Sequence, residues 1–200
     1  MIFVALVAGI VGARLGYALN YLDLYAEEPL SLVALNLNTL APVEGIATGL
    51  IAAMVYAQRN RLSLLATLDA LTLGAAVFAI FVALAHLSSG DAFGAPTNVP
   101  WAIQLWGADR HPAQVYELLG AVVVMLIILK MRKNIFPAGF IFALFIALTA
   151  FSRLFLEGFR GDSLIIFDSI RGAQFASLVV MILALLALHV LSRRSTEGKI

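Results

Sequence analysis

Arg153, Glu157 and Arg160 stand in or beside the run Phe136 to Phe159, whose other members are almost all apolar. Spacings of four and then three residues put all three side chains on one face of a helix. A charge in hydrocarbon costs several kcal/mol or more unless it is paired or hydrated, so such residues face a cavity or a partner. Two arginines around one glutamate leave a surplus positive charge, which suits an anionic group such as a phosphate. The competing reading is a structural Arg–Glu–Arg ladder at the membrane edge.

The elements that must hold these residues follow from composition. The chain has 200 residues, 62% hydrophobic and 12% charged, with no cysteine and a formal charge of +1. A bilayer-spanning helix needs about 20 apolar residues, and several windows supply them. The expectation is an all-α integral membrane protein, a bundle of about six transmembrane helices with a structured outer loop between the third and fourth. The spans run approximately Ile2–Tyr21, Leu40–Ala57, Leu62–Leu87, Ala113–Met131, Phe136–Phe159 and Ala173–Leu191. Residues 1–192 form one transmembrane domain, and 193–200 a short polar cytoplasmic tail. Met1 to Leu19 lacks a basic start and carries Arg14 late, so it reads as a retained helix and not a signal peptide.

The connecting charges orient the bundle. Gln58-Arg59-Asn60-Arg61, Lys130-Met131-Arg132-Lys133, and Arg193-Arg194 with Lys199 are basic; Asp23 with Glu27-Glu28 and the segment Ser88 to Arg110 are acidic or mixed. The positive-inside rule then makes both termini cytoplasmic. Arg14, Glu44, His86, Glu117, Arg153, Glu157 and Arg160 all fall at the outer-leaflet level. Asp69 is the deep exception, read as a hydrogen-bonded helix–helix contact. Near-zero net charge argues against nucleic acid as a partner. The three histidines show no ligand spacing with nearby carboxylates, so no metal or other cofactor is expected. Gly9, Gly12 and Gly16 are spaced for close helix contact.

Five ordered motifs resemble the prolipoprotein diacylglyceryl transferases of bacterial inner membranes. They are Gly12-Ala13-Arg14-Leu15-Gly16-Tyr17; Gly90-Asp91-Ala92-Phe93-Gly94 with Pro96-Thr97 and Pro100-Trp101-Ala102; His111-Pro112-Ala113-Gln114-Val115-Tyr116-Glu117; Phe151-Ser152-Arg153 with Glu157 and Arg160; and Gln174 with Ser177-Leu178. The third, His-Pro-x-Gln-x-Tyr-Glu, is the most specific. The family usually carries one more helix before the first motif. It has His-Gly where this chain has Glu44-Gly45, and Gly-Arg-Ile-Gly-Asn where this chain reads through Ala83-Leu84-Ala85-His86. A tyrosine expected four residues before Arg153 is Thr149.

The resemblance implies transfer of a diacylglyceryl group from phosphatidylglycerol to the lipobox cysteine thiol of a prolipoprotein, with glycerol phosphate leaving. The partners would be phosphatidylglycerol, membrane lipid and prolipoprotein signal peptides. Negative charge grows on the leaving phosphate, and fixed cations lower that barrier. Arg153 is the first candidate because a guanidinium stays charged and grips phosphate oxygens bidentately; Arg14 is the second. Glu157 would orient Arg153 or Arg160. The thiolate is the nucleophile, so a base is wanted, with His86 the candidate and Glu44 next. Asp91, Gly94, His111, Gln114, Tyr116, Glu117 and Tyr17 are expected around the headgroup, His111 as a loop anchor. A phospholipid-binding homologue without catalysis and a small transporter with Asp69 as relay are the other classes considered.

Overall fold

In a computed structural model the protein is described at residues 1–27, 30–31, 36, 39–166 and 170–197. Glu28 and Lys199, two of the loop charges used above, lie outside the described residues. The helices are α1 (Ile2–Asn20), α2 (Leu22–Glu27), α3 (Pro42–Arg59), α4 (Leu64–Ser89), α5 (Ala113–Met131), α6 (Phe140–Leu156) and α7 (Gly172–Glu197). A 3-10 turn, Glu157–Phe159, continues α6. Two small antiparallel hairpins, β1–β2 (Ile103–Leu105, Ala108–Arg110) and β3–β4 (Ile165–Ile166, Ile170–Arg171), complete the described elements.

Among the described residues five helices are long and apolar enough to cross a membrane: α1, α4, α5, α6 with its turn, and α7 as far as Arg193. The stretch expected as the second span forms the helix α3, which is not among those five. It is less apolar than the others, because Glu44 sits in its first turn and Arg59 in its last. The last helix runs on to Glu197, through the segment expected to be a polar tail.

The chain forms two compact units, Met1–Leu64 and Leu65–Ile200. In the first, α1 and α3 pack through small residues. A Cβ on Gly16 would lie 2.6 Å from the Cβ of Glu44, and one on Gly45 would lie 2.7 Å from that of Ala13. Gly12 likewise lies against Thr48. Such close backbones give the dispersion contacts that hold helices together in lipid.

In the second unit Ala76, Val124, Ile128 and Phe145 form a buried core shared by α4, α5 and α6. Asp69 on α4 fixes the start of α6. Its carboxylate accepts the backbone N–H of Gly139 at 2.6 Å and of Phe142 at 2.8 Å. A carboxylate there satisfies orphan donors and meets the positive end of the helix dipole. Gly139 has φ +90°, which favours glycine. The helix–helix contact expected for Asp69 is thus a cap borrowed from a neighbouring helix.

The long loop between α4 and α5 is stitched, not draped. Its hairpin turns on Trp106 and Gly107, both with positive φ, the pattern of a type I′ turn. Ala95 N–H donates to Phe159 O and Gly161 N–H to Phe93 O, each at 2.8 Å. Arg110 donates to the carbonyls of Leu105 and Gly94, with its guanidinium 4.8 Å from the Phe93 ring centre. These bonds tie the loop to the end of α6, where Arg160 begins.

Candidate active site

The second unit carries a continuous chain of charges. His86 Nδ1 lies 2.9 Å from Glu117 Oε2, and Arg153 Nη1 lies 3.5 Å from Glu117 Oε1. Arg153 Nε reaches Glu157 Oε2 at 3.1 Å, one helical turn on, and Arg160 Nε stands 3.8 Å from the same oxygen. Arg160 then grips Asp162 with both ends of its fork, at 2.9 and 2.7 Å. Four segments contribute: α4, α5, α6 with its turn, and the residues after it.

Three carboxylates therefore meet two guanidiniums and one imidazole. The surplus positive charge expected from Arg153, Glu157 and Arg160 alone is absent. Helical spacing exposes only partners on the same helix, whereas Glu117 arrives from α5 and Asp162 from beyond the helix end. Burial alone would lower the pKa of Arg160. The hydrogen bond to Asp162 and the charges of Asp162, Glu157 and Glu117 more than offset that, so its guanidinium sits above its ordinary value.

A cavity of about 390 Å³ opens beside this chain. Glu117, Arg153, Glu157 and Arg160 form its polar end, and Ala76, Val82, Ala121 and Phe145 are among its apolar walls. Thr149, in the position where the resemblance calls for tyrosine, lines it too. Glu157 is 1% exposed, while the Arg153 side chain keeps 37% of its surface. The buried carboxylate orients; the half-open guanidinium can meet a ligand.

Other expected site residues have different neighbours. Gln114 is buried and donates to the Asp91 carbonyl at 2.9 Å, joining loop to helix instead of lining the cavity. The Asp91 carboxylate accepts from Ser89 Oγ at 2.8 Å. Gly94 packs so tightly on the His111 carbonyl that no Cβ fits. The Tyr116 hydroxyl accepts from Trp101 Nε1 at 2.7 Å. Tyr116 and His111 line a separate apolar groove of about 700 Å³ walled by α5 and α6, with the His111 ring edge-on to Phe159.

Arg14, Tyr17 and Glu44 belong to the first unit. Arg14 donates to the carbonyls of Ser31, Asn36 and Thr39 and to the Thr39 hydroxyl. Tyr17 packs against Tyr21, ring centres 4.6 Å apart and the rings tilted by 33°. Glu44 lies over Gly16. Ala83, in the run where the resemblance has Gly-Arg-Ile-Gly-Asn, is fully buried, and His86 one turn later meets Glu117.

Sequence reading missed Asp162 and Arg171. Asp162 stands two residues after Arg160 across a glycine, a local signal that was there to be used. Arg171 donates to the carbonyls of Glu157 and Arg160, both at 2.6 Å, and holds the end of the turn. Nothing in its local sequence marks that role.

Helices long and apolar enough to span a membrane, with an acid–base cluster beside a cavity among them, define a multi-pass membrane protein. The sequence matches the prolipoprotein diacylglyceryl transferase family over residues 1–190. It is 28% identical over 195 residues to the phosphatidylglycerol–prolipoprotein diacylglyceryl transferase of Clostridioides difficile, covering 98% of this chain and 78% of that one. The enzymes of the same name from Finegoldia magna and Gloeobacter violaceus are 31% and 32% identical, with 89% and 96% of this chain covered and 72% and 76% of theirs. The chain belongs to the prolipoprotein diacylglyceryl transferase family.

Proposed function

We propose that this chain transfers the diacylglyceryl group of phosphatidylglycerol to the lipobox cysteine of prolipoproteins in the bacterial inner membrane. Family membership supports the reaction. The observation that ties it to particular residues is the cavity with apolar walls and Arg153 at its charged end. Apolar walls suit the glyceryl and acyl part of a lipid, and a half-exposed guanidinium suits its phosphate.

In this reading Arg153 binds the phosphate and stabilises the charge that grows on it as glycerol phosphate leaves. Glu157, buried against Arg153 Nε and Arg160, keeps the guanidinium aimed. The thiol proton goes to His86, whose Nδ1 is engaged by Glu117, a residue of the cavity's polar end. Both termini face the cytoplasm and the site faces the outer leaflet, where signal peptides of exported proteins arrive. The loop residues Asp91, Gly94 and His111, with Gln114 of α5, hold the cavity's rim in place.

The test combines purified protein, phosphatidylglycerol and a lipobox peptide, with thioether product followed by mass spectrometry. Product is expected, as is growth of a strain depleted of its own transferase when this chain is supplied. No product under conditions where another family member works would leave a phospholipid-binding protein without catalysis.

A further inference from the structure

We infer that Glu117 is a switch coupling thiol deprotonation at His86 to phosphate capture at Arg153. The inference rests on the transferase reading and adds to it a division of labour within one carboxylate. Glu117 divides its two oxygens between two helices, with Oε2 2.9 Å from His86 Nδ1 and Oε1 3.5 Å from Arg153 Nη1. The closer hold is on the imidazole, the looser on the guanidinium. An ionised carboxylate only accepts, so the His86 Nδ1 carries hydrogen and Nε2 carries the lone pair.

The charge tally makes this division consequential. Among the groups in direct ion-pair contact, three carboxylates face two guanidiniums while His86 is neutral, and Arg171 adds a third cation only through the carbonyls of Glu157 and Arg160. Protonation of His86 adds the positive charge that competes with Arg153 for Glu117. The charged groups around the ring are few. Glu117 meets it from α5. Arg153 stands behind Glu117 on α6. Asp91, in the loop after α4, is held by Ser89. Glu157 and Arg160 lie beyond Arg153, and Arg160 is tied to Asp162.

The reaction then runs as one coupled event. The thiol proton passes to His86 Nε2. Sulfur bonds to the terminal glyceryl carbon, the bond from that carbon to the phosphate oxygen breaks, and the electron pair leaves with glycerol phosphate. Imidazolium draws Glu117 toward α4 and loosens its hold on Arg153. The freed guanidinium donors meet the phosphate as its negative charge grows. Glu117 is a positioning residue here, and the proton at His86 is felt at the phosphate through it.

Two substitutions should move lipid binding in opposite directions. A short-chain phosphatidylglycerol is titrated into the detergent-solubilised full chain, and transfer is measured on the same samples. Glu117→Gln removes the competitor for Arg153, so binding tightens about two- to fivefold, the worth of one half-exposed ion pair. Its kcat falls roughly 10²-fold, because the base has lost its charged partner. His86→Asn leaves Glu117 to Arg153 alone, so binding weakens while kcat falls. The double variant binds like Glu117→Gln and loses no further rate, as residues acting as a unit do.

Weaker binding in both single variants, or rate losses that multiply in the double, overturns the switch. Should Glu117→Gln fail to fold, His86→Lys decides. A fixed cation there holds Glu117 permanently, so binding must equal or exceed that of the unaltered chain while transfer falls; weaker binding overturns the inference. Opposite-sign binding in a chain that forms no thioether would sink the transferase reading and leave the switch standing.

Discussion

Each compact unit carries an arginine on a membrane helix, and the two are employed differently. In Met1–Leu64, Arg14 turns its fork onto the carbonyls of Ser31, Asn36 and Thr39. In Leu65–Ile200, Arg153 keeps 37% of its side-chain surface open and leans on Glu117 and Glu157. Carbonyl partners are fixed backbone and hold an arginine as part of the scaffold. Carboxylate partners can be exchanged for another anion, which keeps an arginine available. Residue type does not distinguish the two; the partners do.

The largest effect that could break this contrast is at Arg153. Replacing it with Gln should lower kcat by about 10²–10³ with the fold intact, the cost of removing one preorganised donor. Circular dichroism and thermal unfolding beside the transfer assay check both halves. Unchanged turnover would remove Arg153 from the mechanism.

Gly94→Ala comes next. A Cβ there collides with the His111 carbonyl, where three segments cross. Overpacking of this kind costs about 1–3 kcal/mol. A lowered Tm together with lost transfer is expected, because the loop is bonded to the residues flanking Arg160. An unchanged Tm would mean that the crossing is looser than described.

Asp69→Ala probes the opposite end of α6. Losing a cap costs about 1 kcal/mol, so Tm should fall while the rate per folded molecule holds. A specific loss of rate at unchanged Tm would make Asp69 a functional group after all. Arg14→Gln sharpens the contrast from the other unit: it should lower kcat less than Arg153→Gln does. An equal or greater loss in the transfer assay would put Arg14 on the phosphate.

Much of this was legible beforehand. The fourth span falls on Ala113–Met131 in both readings, since an apolar run bounded by Pro112 and a basic cluster leaves little freedom. Local spacing also showed that Arg153 and Arg160 share Glu157. What spacing cannot show is a partner from another helix. Glu117 was singled out as a site residue, yet its link to His86 and Arg153 depends on how α4, α5 and α6 rotate in packing. Charge balance shifted accordingly, from surplus cation to near parity. The loop hairpin and its bonds to Phe159 and Gly161 join residues far apart in sequence, and such pairing leaves no period to read. Gln114 and Tyr116 show the same limit, because a motif names residues without saying which way each side chain turns.

The most direct test is an experimental structure of the full chain with phosphatidylglycerol bound. The account predicts phosphate oxygens about 2.7–2.9 Å from the Arg153 guanidinium, with Glu117 drawn toward His86 and the glyceryl carbon in the apolar cavity. A headgroup bound elsewhere, with Arg153 still paired to both glutamates, would contradict it.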